Sequence, residues 1–164
     1  MKTEIGEYIV GAYLKIINEC DFIDYNVRHP GGGIQGLDEL DVLGLDFKNK
    51  RAYLCEVTTH IRGLLYKSNE NSLEKIKTKY KKQKIYAKKY LSEDFHDIHF
   101  MFWSPVVPKG YITTELKKIK GLETVINSEY AQCIDELRER AKQTAADSGN
   151  PFFRMLQILE HLRR

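Results

Sequence analysis

Apolar residues recur at helical spacing in two stretches of the first hundred residues. The first stretch runs from Lys2 to Asn18 and predicts an amphipathic helix, with Thr3 as the candidate N-cap and Glu7 in its first turns. The second runs from Ser72 to Leu91 and predicts a longer helix, because one side is apolar and lysines fill the others.

Four apolar runs of strand length accompany these two helices. They cover residues 22–27, 40–45, 52–58 and 98–103. The second and third are joined by a short polar turn, which predicts a hairpin in the middle of a sheet. The fourth is dense and ends at Ser104-Pro105, as expected of a buried strand. The order helix, strand, strand, strand, helix, strand predicts an α/β sandwich with a mixed sheet.

The remainder of the chain predicts more helix. Apolar spacing indicates helices from Glu129 to Ala146 and from Pro151 to Leu162, the latter with proline in its first turn. We therefore predict a core over residues 1–110 and a helical C-terminal extension over 111–164, packed on the same domain. A homodimer through the C-terminal helices is expected if they leave an apolar face uncovered.

Composition limits the class of protein but does not indicate a function. The 26 Lys and Arg against 23 Asp and Glu give a net charge of only +3, so net charge alone does not indicate nucleic-acid binding. The segment from Lys67 to Lys89 is heavily basic, however, and such a cluster either holds phosphates or is simply a solvated helix face. The three cysteines form no CxxC pair, and no signal or membrane-spanning segment is recognisable. We expect a soluble cytoplasmic protein.

Acidic residues lie within the two strands of the predicted hairpin. Asp41 and Glu56 would converge if these strands pair, since neighbouring strands are about 4.8 Å apart. The period of two places Glu39 on the face of Asp41, and Thr58 on the face of Glu56. A carboxylate in so apolar a context needs a partner such as a metal ion, and carboxylate oxygens suit Mg²⁺.

The order of these acidic runs resembles the PD-(D/E)xK nuclease superfamily. The matching runs are Glu7 in the first helix, Asn26-Val27-Arg28, Glu39-Leu40-Asp41-Val42-Leu43-Gly44 and Glu56-Val57-Thr58-Thr59-His60. Within the superfamily, the chain is most similar to small archaeal-type Holliday junction resolvases and to small bacterial endonuclease-like proteins. The resemblance covers roughly residues 4–103. It implies a restriction-endonuclease-like three-layer sandwich and a DNA endonuclease that depends on Mg²⁺ or Mn²⁺.

The resemblance also implies roles for individual residues. Asp41, Glu56 and the backbone carbonyl of Val57 would be metal ligands, and Glu7 would reach the same site from the first helix. The superfamily's lysine falls on Thr58, whose hydroxyl cannot supply the positive charge that orients water and offsets transition-state charge.

The missing lysine leaves two alternatives. Either a lysine enters from the following helix, or the site no longer cuts and the chain is a nucleic-acid-binding or assembly module on the same fold. Lys79 is the preferred replacement, with Lys82 on the same helix face and Lys75 and Lys77 one turn earlier. If no lysine of the tract 75–84 brings its ammonium group within about 4 Å of the site, the catalytic alternative is weakened.

Five basic or imidazole side chains are candidate nucleic-acid contacts. They are Arg28, His60, Arg62, Lys77 and Lys82. Arg28 precedes a proline-glycine segment that either touches DNA or is an inert connection, while His60 and Arg62 follow the Glu56 strand at its exit. The sequence leaves open whether the substrate is DNA or RNA.

Overall fold

The computed structural model describes residues 2–30, 39–63 and 68–163. Its elements are α1 (Ile5–Ile16), β1 (Phe22–Arg28), β2 (Glu39–Asp46), β3 (Arg51–Val57), α2 (Asn69–Tyr90), β4 (Asp97–Ser104), α3 (Tyr111–Lys117), β5 (Leu122–Ile126), α4 (Ser128–Gln143) and α5 (Pro151–Leu162). The predicted order of the first six elements is confirmed. Of the proline-glycine segment at residues 30–33, residues 31–33 lie outside the described residues.

The strands form one open sheet in the order β1-β2-β3-β4-β5. β1, β2 and β3 are antiparallel neighbours, whereas β3, β4 and β5 run parallel. Parallel neighbours need a crossover connection, and α2 supplies the one between β3 and β4. The predicted mixed sheet and its central β2–β3 hairpin are both confirmed.

Helices cover both faces of the sheet. Cys55 and Trp103 pack with α1 and α4 on one face. Leu54 packs under α2 on the other, and Phe102 packs under α2 and α3. The alternation along β3 and β4 follows from the two-residue period of a strand, and it produces three layers. α5 lies outside α1 and α4 and buries Phe153 against them.

The structure differs from the sequence prediction at both ends of the chain. Thr3 as N-cap is wrong, because α1 begins at Ile5 and Glu4 is the N-cap. The stretch 111–164, predicted as a helical extension, contributes the edge strand β5 in addition to helices. β5 has five residues and a mixed burial pattern, so its sequence carries no clear two-residue period. No helix within the described residues is long and apolar enough to cross a membrane.

Candidate active site

The site forms where β2 and β3 separate. The pairing of the two strands ends at Val42 opposite Cys55, and the next residues along the strands are Asp41 and Glu56. Asp41 Oδ2 then accepts a 2.8 Å hydrogen bond from the backbone N–H of Val57. In a regular β-ladder a backbone carbonyl would accept the hydrogen bond from the Val57 N–H. Here the side-chain carboxylate of Asp41 accepts it. The carboxyl groups of Asp41 and Glu56 lie close enough to influence each other's ionisation.

An irregularity in β1 accompanies this separation. Tyr25 and Val42 pack in the cluster beneath α1, whereas Val27 and Leu40, two residues further along each strand, pack in the cluster beneath α2. Residues two apart in a regular strand share a face, so both strands turn over between these positions. Asn26 is the residue between Tyr25 and Val27, and its φ of 53° lies in the left-handed region.

Glu7 reaches the same region from the first turn of α1. Its Oε2 accepts hydrogen bonds from the backbone N–H of Glu4 at 2.9 Å and from Asn26 Nδ2 at 3.2 Å. Burial raises the pKa of Glu7, and the negative charge of Asp41 raises it further, against the hydrogen bonds that lower it. Glu7 and Asp41 therefore lie close enough to influence each other's ionisation.

Lys79 lies against Glu56. Its Nζ is 3.2 Å from Glu56 Oε1, within the 4 Å distance set above, and the two side chains are only 12% and 14% exposed. The neighbouring candidates differ from it. Lys77 is turned to Glu74, with Nζ 3.3 Å from Oε1, and Lys82 is half-buried one turn after Lys79.

The electrostatics of the site show a shortage of positive charge. Burial is the main reason that the pKa of Glu56 is raised to about 8, and the charge of Asp41 adds to it. Burial also raises the pKa of Asp41, against the lowering effects of the Val57 N–H and Lys79. One ammonium group only partly offsets two buried carboxyl groups, so an additional cation would stabilise their ionised forms.

The hydroxyl of Thr58 forms a hydrogen bond with the end of β4. Its Oγ1 donates a 2.9 Å hydrogen bond to Ser104 Oγ, and its backbone N–H donates to the carbonyl of Trp103 at 2.9 Å. Thr58 is buried and links the end of β3 to the end of β4. Thr58, where the resemblance noted above would place a lysine, therefore joins the ends of two strands.

Three of the candidate nucleic-acid contacts lie at or just beyond the ends of β1 and β3. Arg28 Nε donates to Glu39 Oε1 at 2.6 Å, so Glu39, which the sequence predicted on the face of Asp41, is paired with an arginine. His60 and Arg62 are exposed in the segment that follows β3.

The donor set fits a hard divalent cation. Asp41 and Glu56 supply two adjacent carboxylates, and the Val57 carbonyl points to the same side of β3 as its N–H, which meets Asp41. Mg²⁺ typically takes one or two carboxylates from the protein and keeps several waters. Over residues 2–30, 39–63 and 68–163, no group of three His, Cys, Asp or Glu side chains is arranged to hold a metal. The candidate ligands are the carboxylates of Asp41 and Glu56 and the carbonyl of Val57.

The sequence pattern predicts no functional role for Gln83. Its side chain is 2% exposed, and its Nε2 donates to the carbonyls of Leu54 at 3.1 Å and Met101 at 3.3 Å, while its Oε1 is buried without a partner. Gln83 lies one turn after Lys79 and holds α2 against β3 and β4. A glutamine on the apolar stripe of the helix is the signal that could have indicated this role.

No family model matches the chain, and no curated protein or solved structure is significantly similar to it. Its function is therefore inferred from the geometry of the site.

Proposed function

We propose that this chain is a metal-dependent nuclease with a restriction-endonuclease-like core of the PD-(D/E)xK class, in which Lys79 replaces the strand lysine. One observation carries the proposal, the 3.2 Å separation between Lys79 Nζ and Glu56 Oε1. An ammonium group at the carboxylate pair supplies the charge that Thr58 cannot provide.

The cation would be held by Asp41, Glu56 and the carbonyl of Val57. When bound, Mg²⁺ or Mn²⁺ neutralises charge on the attacked phosphate and lowers the pKa of the attacking water. Lys79 lowers the pKa of Glu56, which favours the ionised form that a ligand needs. Its ammonium group also orients the attacking water and offsets negative charge in the transition state.

Glu7 and Asn26 complete the proposed site from the α1 side. The side chain of Asn26 donates a hydrogen bond to Glu7. This bond keeps one carboxylate oxygen of Glu7 directed at the irregular part of β1. The Val57 N–H fixes one oxygen of Asp41, and this limits the rotation of that carboxylate. Both contacts would preorganise the acids before substrate binds, which reduces reorganisation during the reaction.

DNA is the proposed substrate, and the test is a cleavage assay. Wild type, Asp41→Asn and Glu56→Gln are incubated with supercoiled plasmid, linear duplex, single-stranded DNA and RNA, each with Mg²⁺, Mn²⁺ or EDTA. Asp135→Asn, an acid on the exposed surface of α4, is the matched control. We expect cleavage by wild type and the control only when a divalent cation is present, and loss of cleavage in the two site variants.

Two outcomes would contradict the proposal. Cleavage that persists in both site variants would show that the carboxylate pair is not the active site. An absence of cleavage on every substrate would favour a nucleic-acid-binding or assembly module on the same fold.

A further inference from the structure

Lysines occupy two separate flanks of α2. Lys79 and Lys82 lie on the flank next to the candidate active site. Lys77, Lys81 and Lys84 follow at spacings of four and three residues, which places them in a single row. Since each residue advances about 100° around a helix, Lys77 and Lys81 lie roughly 160° from Lys79. The second row therefore does not belong to the site.

This second row borders a groove between α2 and α3. The groove has a volume of about 340 Å³, and its lining includes Lys77, Lys81, Lys84 and Lys118, with Glu115 as its only acid among the described residues. Lys118 pairs with Glu115 at 2.6 Å. Lys81 and Lys84 have no carboxylate within ion-pair distance among the described residues, so the groove has an excess of positive charge.

The floor of the groove is fixed by Tyr80. Its hydroxyl donates a 3.0 Å hydrogen bond to the carbonyl of Lys120, and its ring packs edge-on against Phe100. Lys84 Nζ lies 4.5 Å from the centroid of the Tyr80 ring. Gly121 leaves room for the hydroxyl, because a Cβ at this position would lie 2.5 Å from it. The lysine row is therefore presented by a rigid surface.

We propose that the α2–α3 groove is a second nucleic-acid-binding surface, which holds backbone phosphates on the flank of α2 opposite the cleavage site. The choice of a nucleic acid as the partner rests on the proposed function, but binding at the groove does not require that the chain cleaves the nucleic acid. From Lys77 to Lys84 the row spans about 10 Å, at 1.5 Å per helical residue. A DNA strand carries one phosphate per roughly 3.4 Å of helix axis, so the row faces about three consecutive phosphates rather than one isolated phosphate.

The test is equilibrium binding of the full chain in EDTA, which prevents metal-dependent cleavage. Fluorescence anisotropy is measured with a 20-base-pair DNA duplex, single-stranded DNA and duplex RNA across a salt series. Lys81→Ala/Lys84→Ala is compared with Arg140→Ala/Lys142→Ala, which removes the same charge from α4 on the opposite face of the sheet. Lys81 and Lys84 are exposed, so we expect their replacement to leave the fold intact.

Each phosphate contact contributes about 0.9 to the slope of log affinity against log salt on duplex DNA. We therefore expect the magnitude of this slope to be about 1.8 smaller for Lys81→Ala/Lys84→Ala than for wild type. The affinity at 0.1 M salt should fall roughly eightfold for each lysine that is removed. The α4 control should keep the wild-type slope. Equal slopes and affinities in the two double variants would overturn the proposal, and so would the absence of wild-type binding to all three probes.

The nuclease proposal can fail independently of this one. If the salt dependence of binding changes in Lys81→Ala/Lys84→Ala, but wild type does not cleave in the metal assay, the groove is supported as a nucleic-acid-binding surface and the nuclease proposal is rejected. Metal-dependent cleavage by wild type, together with a wild-type slope in Lys81→Ala/Lys84→Ala, would reject the groove alone.

Discussion

Ionisation of Glu56 should make the folded protein less stable as pH rises when no divalent cation is present. The pKa of this carboxyl is raised to about 8 from an ordinary value of 4.5, mainly by burial and then by the charge of Asp41. The folded state therefore holds the proton more tightly than the unfolded chain does. The resulting stabilisation is complete below pH 4.5 and is lost as pH rises through 8.

The size of this effect follows from the difference between the two pKa values. At about 1.36 kcal/mol per pKa unit, the loss of stability between pH 4.5 and 8 is on the order of 4 kcal/mol. A typical domain is stable by about 5–15 kcal/mol, so a loss of this size is readily measured.

Urea unfolding of wild type and Glu56→Gln in EDTA measures the effect at pH 5, 6, 7 and 8. Asp41 and Lys79 face the position in both proteins, so the difference between the two curves reports the Glu56 proton. Relative to the variant, wild type should lose several kcal/mol of unfolding free energy from pH 5 to 8. Parallel curves, within about 0.5 kcal/mol, would refute the reasoning.

Three further predictions concern metal binding at Glu56, the backbone of Asn26 and the exposed face of α5. At pH 8, Mg²⁺ or Mn²⁺ should raise the melting temperature of wild type more than that of Glu56→Gln, because binding to the folded state stabilises it; equal shifts would contradict the ligand assignment. Asn26→Ala should be about 1 kcal/mol less stable than Asn26→Gly in urea, because alanine disfavours the left-handed backbone there, and equal stability would argue against that backbone. The exposed apolar row Met155, Ile158, Leu159 and Leu162 on α5 should support a homodimer that Ile158→Glu/Leu162→Glu converts to a monomer in light scattering; a monomeric wild type would reject it.

Much of the fold could be predicted from apolar periodicity. The order from α1 to β4 and the mixed sheet follow from long stripes and short runs with clear spacing. β5 was missed because its stabilisation comes from pairing with β4 and from the glycine turn before it, with Gly121 at a φ of 87°, and neither is visible in five residues of sequence.

The acidic residues of the candidate site could be predicted from the sequence, but its lysine could be predicted less well. Asp41 and Glu56 stand in apolar runs, which makes their placement in neighbouring strands evident. Lys79 was preferred among several lysines of α2, but only the packing of the helix on the sheet brings one ammonium group to Glu56 and turns Lys77 to Glu74. The left-handed backbone of Asn26 depends on the pairing of β1 with β2, which sequence spacing does not specify.

The central claim is that Lys79 supplies the positive charge of a metal-dependent nuclease site. The most direct measurement is the single-turnover cleavage rate of plasmid in Mn²⁺ for wild type, Lys79→Ala and the control Lys142→Ala, with urea unfolding to confirm that each is folded. We predict that Lys79→Ala is about 10²–10³-fold slower and that the control cleaves at the wild-type rate. A folded Lys79→Ala protein that cleaves as fast as wild type would contradict the claim.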